Sequence, residues 1–385
     1  MLGLGVLFPV LPEFTRSLGL SELQAGLLLG SYAFASFAMS PFWGRLSESR
    51  GRRPVVLIGL LGFSATFLLF ALRSSFAELL LVRSVGGLFA AAAMPAIFAY
   101  AADVSTPEAR SRTLGVIGAA IGVGVVAGPA LGAFSVAQWG VRAPFYATAA
   151  IGLFAAVAVA IWLPESLTPA IRAAANERRS ALASRGFTLS RIVVGLAPFL
   201  SYSFLVQVGR TGLDSTVGFL IADRLGGGTR EVGILLTGVG VIAVLVQGGG
   251  MRVLTRRYSD HALMMTGTAL LAIGLLGVGR AGTWPELWLW ASLLGVGSAL
   301  LLPTFTAELS RAAEGLQGEA QGLNTSVQSL ARAIGPVLAT ALYRFQGPGS
   351  TYVVASVLVG AALLVARGGL RPSLELEAAT SLPEA

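Results

Sequence analysis

A chain of 385 residues in which 55% are hydrophobic and only 12% charged cannot clothe a water-soluble surface, which takes about a quarter charged residues. All 27 basic residues are arginine and the net charge is +8; their concentration in loops sets membrane orientation rather than marking a nucleic-acid face. With no cysteine and a single histidine, His261, disulfides, thiol chemistry and a histidine-built metal centre are excluded.

Apolar runs near the roughly 20 residues that cross about 30 Å of hydrocarbon as a helix recur along the whole chain. They are continuous, not alternating, which predicts helices rather than barrel strands. In chain order the runs and turn signals predict helices near 2–14, 22–43, 54–72, 76–102, 112–134 and 143–163. Six more are predicted near 192–222, 231–254, 261–279, 285–308, 317–342 and 350–366. The first run falls short of a full span, so this helix reads as truncated, with the true start expected upstream of Met1. The arginine-bearing stretch 164–191 separates a six-helix bundle over 1–163 from a second over 192–367, and 368–385 form a polar tail. Arginine bias places both termini, the linker and the tail on the cytoplasmic side.

The two halves repeat one another. Gly26 and Gly233, Gly44 and Gly250, Pro95 and Pro303, and the pairs Gly128-Pro129 and Gly335-Pro336 are spaced by 207, 206, 208 and 207 positions. Six helices return a chain to its starting side, so the expected fold is all-α: twelve transmembrane helices as two like-oriented parallel repeats with a midplane cavity.

Four groups of residues stand out. Between the second and third helices lie Gly44, Leu46, Glu48, Gly51, Arg52 and Arg53, read as a short cytoplasmic hairpin whose glycines permit a tight turn and close helix approach. Asp103, ending the fourth helix, is placed to pair with Arg52, Arg53 or Arg112. In the fifth helix Gly115, Gly124, Gly128, Pro129 and Gly132 set small residues at helical spacing with a proline bend, and Ala133 follows. Arg83 and Gly87 sit in the fourth helix; an arginine there either faces the protein interior or snorkels to the external interface. Leu2-Gly3, Pro9, Val10, Pro12 and Phe14 occupy the first helix.

These motifs, spread over nearly the full length, resemble the major facilitator superfamily of transporters, and within it the twelve-helix drug/proton antiporter branch. The hairpin departs from the family form by carrying Glu48 for aspartate and Ser49 for arginine, and the fifth-helix pattern by Ala133. The resemblance implies alternating access. Glu48 would meet the N-terminus of a second-half helix near Leu316, Asp103 and the arginines would complete a latch, the fifth-helix glycines would form an antiporter signature, and Arg83 with Gly87 would serve proton coupling.

In the second half, Gln207, Arg210 and Asp214 share one face of the seventh helix at spacings of three and four. Arg210 and Asp214 can form an ion pair, either proton-responsive or fixed and structural. Asn324 and Gln328 share a face of the eleventh helix, and Arg332 continues it. No phosphate-cradling G-x4-G-K-[ST] sequence and no catalytic or metal-ligating set is present, so the expectation is a secondary transporter rather than an enzyme, needing no cofactor. It would export hydrophobic or cationic small molecules against protons, as a monomer in the cytoplasmic membrane. The alternative is an importer or facilitator of a metabolite such as a sugar or organic acid.

Overall fold

The computed structural model describes residues 2–105, 107–168, 189–313, 316–368 and 370. Among them the chain forms twelve long helices: α1 (Leu2–Ser17), α2 (Glu22–Arg50), α3 (Arg52–Leu72), α4 (Phe76–Val104), α5 (Pro107–Trp139), α6 (Ala143–Trp162), α7 (Ala197–Leu225), α8 (Thr229–Leu254), α9 (Asp260–Val278), α10 (Trp284–Ala312), α11 (Gln317–Gln346) and α12 (Pro348–Arg367). A short helical turn, Leu189–Gly195, leads into α7. Within α8, Val246–Gly250 is a π turn, where the run Gly248-Gly249-Gly250 leaves the backbone free to widen.

Local chemistry sets the starts. Ser21 and Gln24 close a capping box on α2, the Gln24 N–H donating to Ser21 Oγ at 3.3 Å and the Ser21 N–H to Gln24 Oε1 at 2.8 Å. Ser75, Ser259 and Thr283 accept from the third residue of α4, α9 and α10.

Nine of the helices are long and apolar enough to cross a membrane; α1, α7 and α11 are not among them. The first is short, at 16 residues. The other two have length enough, at 29 and 30 residues, but carry the polar stripes of Gln207, Arg210 and Asp214 and of Asn324, Gln328 and Arg332, which lower their hydropathy.

The chain divides into two compact units. The first holds α1–α6 together with Gly227–Thr237, the opening of α8; the second holds the remaining described residues from Leu189 onward. Composition alone put the whole of α8 with the second half. Its opening joins the first unit because Thr229 donates to the Glu13 carboxylate of α1, and because Gly233 lies where a Cβ would strike Ala133 and, at 3.0 Å, the Pro129 carbonyl oxygen of α5. Of the linker stretch 164–191, residues 169–188 lie outside the described residues, as do residues 371–385 of the tail.

Helix pairings repeat between the units: α1 with α5, α3 with α4 and α3 with α6 in the first; α7 with α11, α9 with α10 and α9 with α12 in the second. Lipid tails are as apolar as leucine, so helix association here depends on close packing rather than water exclusion. Phe14, Phe70 and Phe145 meet ring to ring at 5.0–5.3 Å to join α1, α3 and α6. In the second unit Gly267 and Gly297 face one another so closely that a Cβ on either would meet the other's carbonyl oxygen at 2.7 Å.

Candidate functional site

Three polar clusters sit within otherwise apolar helices. The first is at the end of unit one where α2 stops, α3 starts and α4 stops. The sequence reading made Gly44–Arg53 a hairpin loop, but α2 runs on to Arg50 and only Gly51 turns the chain. Hydropathy marks where a helix leaves lipid, whereas its backbone hydrogen bonds continue through the charged turns in water. Gly51 has φ +110°, a conformation left to glycine, and its missing side chain makes room for the Glu165 carboxylate. Gly44 has open space where a Cβ would stand, so the close helix approach expected of it is absent. Leu46 instead packs on the cluster of Trp43, Val55, Val56, Ala91, Ala92 and Ala96, and Glu48 lies in the last turn of α2.

Arg52 is buried. Its Nε donates to Asp103 Oδ2 at 3.0 Å and its Nη1 to Ser47 Oγ at 3.1 Å. Ser166 Oγ also donates to Asp103 Oδ2, at 3.0 Å. Of the three arginines considered for Asp103, Arg52 is therefore the one in contact; Arg53 turns to the Ala160 carbonyl of α6 at 2.5 Å, and the Arg112 side chain lies outside the described residues. Sequence reasoning missed the residue at the centre of this cluster. Glu165, just past α6, accepts from the backbone N–H groups of Arg52 (2.9 Å), Arg53 (3.1 Å), Ser166 (3.0 Å) and Leu167 (3.0 Å). It supplies α3 with the N-terminal anion that its own sequence lacks. Partial burial works to raise the Glu165 pKa, but the four N–H donors outweigh it and leave the carboxyl below its ordinary value.

A carboxyl with a depressed folded-state pKa contributes stability that is complete above its unfolded value of about 4.3 and is lost as pH falls through the folded value. Glu165→Gln should thus lower the thermal midpoint near neutral pH. The change should be at most about 1 kcal/mol, the upper range for an exposed charge at a helix end after solvent screening. Thermal scans of wild type and variant should converge in acid; a gap that persists there would remove the charge from the account.

The second cluster surrounds Arg83, whose guanidinium is 4.1 Å from the centroid of the Tyr32 ring and 5.8–5.9 Å from those of Phe70 and Phe67. Arg83 is 4% exposed, its Nε donates to the Leu28 carbonyl oxygen at 3.4 Å, and Nη2 is buried with no hydrogen-bond partner among the described residues. Of the two readings open from sequence, the side chain takes the interior one. Gly87, one turn on, lies where a Cβ would collide with the Tyr32 carbonyl, so glycine lets α4 approach α2 closely enough for the ring to cover the guanidinium.

The third cluster belongs to α7 and α11 in unit two. Arg210 Nη2 and Asp214 Oδ2 stand 3.8 Å apart, their side chains 46% and 15% exposed. Gln328 Nε2 reaches Ser203 Oγ at 3.4 Å, Arg332 Nη2 donates to Ser329 Oγ at 2.9 Å, and the buried Asn324 Oδ1 has no partner among the described residues. Gly335 fits under Thr211, which sets Arg332 level with the α7 segment carrying Gln207 and Arg210. No group of three or more metal-ligating side chains gathers among the described residues.

The fifth-helix pattern divides into two parts. Gly128 and Pro129 stand 3.2 Å from a Cβ built on Gly5 of α1, and a Cβ on Gly132 would meet the Val6 carbonyl oxygen at 2.8 Å. Gly115 meets open space and Gly124 is half-buried. The Ala133 departure has a counterpart, because its methyl group occupies the space that Gly233 leaves empty.

The profile of the Major Facilitator Superfamily matches residues 1–246 and 199–382. The chain belongs to that superfamily. Relatives include multidrug resistance protein 2 of Bacillus subtilis, 31% identical over 89% of this chain and 85% of that protein. Another is the quinolone resistance protein NorA of Staphylococcus aureus, 26% identical over 94% of this chain and 92% of its own length. The xylose transporter XylE of E. coli, solved in an inward-open conformation, superposes with a TM-score of 0.75 at 17% identity, covering 100% of this chain and 97% of XylE. The human organic anion transporter MFSD10 gives 0.67 at 22%, covering 94% and 97%. These likenesses establish the major facilitator fold, with twelve helices, and make the chain an integral membrane transporter of small molecules.

In this superfamily member every predicted site residue except Arg112 is placed with its side chain described. Arg52 and Asp103 are brought together, as are Arg210 and Asp214, and Arg83 and Gly87 build one packed site. What the sequence concealed was Glu165 and the pairing of Arg83 with the Tyr32 ring, each made by contacts across more than fifty positions.

Proposed function

We propose that this transporter exports hydrophobic or cationic small molecules in exchange for protons, by alternating access, with both termini in the cytoplasm and Asp214 as the proton-carrying group. One observation carries the proton assignment: among the described residues, Asp214 is the only acid far from both ends of a membrane-spanning helix. Its partner Arg210 is held at 3.8 Å, long for a charge-assisted hydrogen bond, so a proton can displace it at little cost. Drug export is supported by the relatives named for multidrug and quinolone resistance, each matching most of its length. The arginine excess on the linker side supports the orientation. Arg83 and the Arg52–Asp103–Glu165 cluster then hold the conformation of unit one, and Glu48 completes a latch that opens during the cycle.

The test is ethidium transport in proteoliposomes with an imposed pH gradient. Uptake should require an acid interior, collapse on adding nigericin, and be lost in Asp214→Asn. Ethidium flux indifferent to the gradient would refute antiport, and sugar uptake without dye transport would favour an importer.

A further inference from the structure

Unit two carries more positive charge at its middle than it neutralises. Arg210 lies midway along α7 and Arg332 midway along α11, two helices packed side by side and running in the same direction. Among the described residues Asp214 is the one carboxylate paired in this region, and it serves Arg210. Arg332 stands level with Arg210, of like sign, on the neighbouring helix, has no ion pair among the described residues, and its one hydrogen bond among them goes to Ser329 of its own helix. A guanidinium at mid-membrane depth is costly when unpaired, and two of like sign cost more together. Such a placement persists when an anion arrives to neutralise it. Arg332 is half-buried and Arg210 exposed, so each has spare donors in a fork that matches a carboxylate.

We propose that this arginine pair is a subsite for the carboxylate of an amphipathic organic acid or zwitterion, so that the substrates include anions besides the cationic compounds expected from sequence. Neighbouring groups support the assignment. Gln207 and Gln328 flank the pair on α7 and α11, and Asn324, two turns below Arg332, offers an amide oxygen without a donor to a ligand N–H or O–H. The proposal rests on reading the chain as a small-molecule exporter, but its test requires neither transport nor a gradient.

Purified transporter in detergent would be titrated calorimetrically with three probes sharing one ring system: 1-naphthoate, its methyl ester and 1-naphthylmethylammonium. The acid should bind at least ~10-fold more tightly than the ester, the equivalent of about 1.4 kcal/mol, and more tightly than the amine. Arg332→Gln and Arg210→Gln should each bring the acid-to-ester ratio near one, and Arg332→Gln should do so with ester affinity and thermal midpoint near wild type. Equal or stronger binding of ester or amine by wild type, no measurable naphthoate binding, or a ratio unchanged in both variants would overturn the proposal. The wild-type comparison decides even if a variant fails to fold. Gradient-dependent ethidium transport without a carboxylate preference would sink this inference and leave the export reading standing; the converse would sink export alone.

Discussion

Arg83→Ala should cut gradient-driven dye accumulation about tenfold or more while leaving a folded protein in the membrane. The guanidinium lies over Tyr32 with Phe67 and Phe70 behind it, and a desolvated cation–π contact is worth about 2 kcal/mol. Spent on one of two alternating conformers, that energy biases their populations by a factor of about 30, so the variant should transport at or below about a tenth of the wild-type rate. Lysine should not rescue it, because an ammonium cannot lie flat on the ring while reaching the Leu28 carbonyl. Accumulation at more than half the wild-type rate in Arg83→Ala would take this side chain out of the mechanism.

Gly87→Val should have the larger effect on the fold. A Cβ there collides with the Tyr32 carbonyl, backbone against backbone, and its next nearest neighbour is Ala35 Cβ at 2.9 Å. No flexible side chain stands ready to yield, so α4 must move off α2. Overpacking of this kind costs about 1–3 kcal/mol, occasionally more, and here it would also uncover Arg83. The expected outcome is a sharp fall in membrane-inserted protein and in thermal midpoint. Gly115→Val, facing open space, is the matched control and should change the midpoint little. Similar stability for both variants would show that α2 and α4 have slack the structure does not display.

The order of twelve helices was legible because apolar runs and turn residues report where lipid begins and ends. Their ends were less so. Predicted 22–43 became Glu22–Arg50, and 112–134 became Pro107–Trp139, since hydrogen-bonded turns extend beyond the apolar stretch that hydropathy detects. Spacing exposed the α7 and α11 stripes directly, because neighbours three and four apart share a face. It could not place Arg83 under Tyr32, 51 positions away, and it left Asp103 with three candidate arginines, of which the fold selects Arg52. Glu165 was the hardest to see. It sits in a segment that composition marks only as a connector, and the helix it caps begins 113 residues earlier.

That carboxylate also determines where the molecule tolerates surgery. Four amides from two stretches of chain converge on Glu165, so the connector is moored to the first bundle at this point, and trimming upstream of Leu167 would strip the third helix of its N-terminal anion. A reporter protein or a protease site spliced in past Thr168 leaves the mooring untouched. Co-expressing the two halves as separate polypeptides should therefore succeed when the cut falls beyond Thr168, and should yield far less assembled protein when it falls between Leu163 and Glu165.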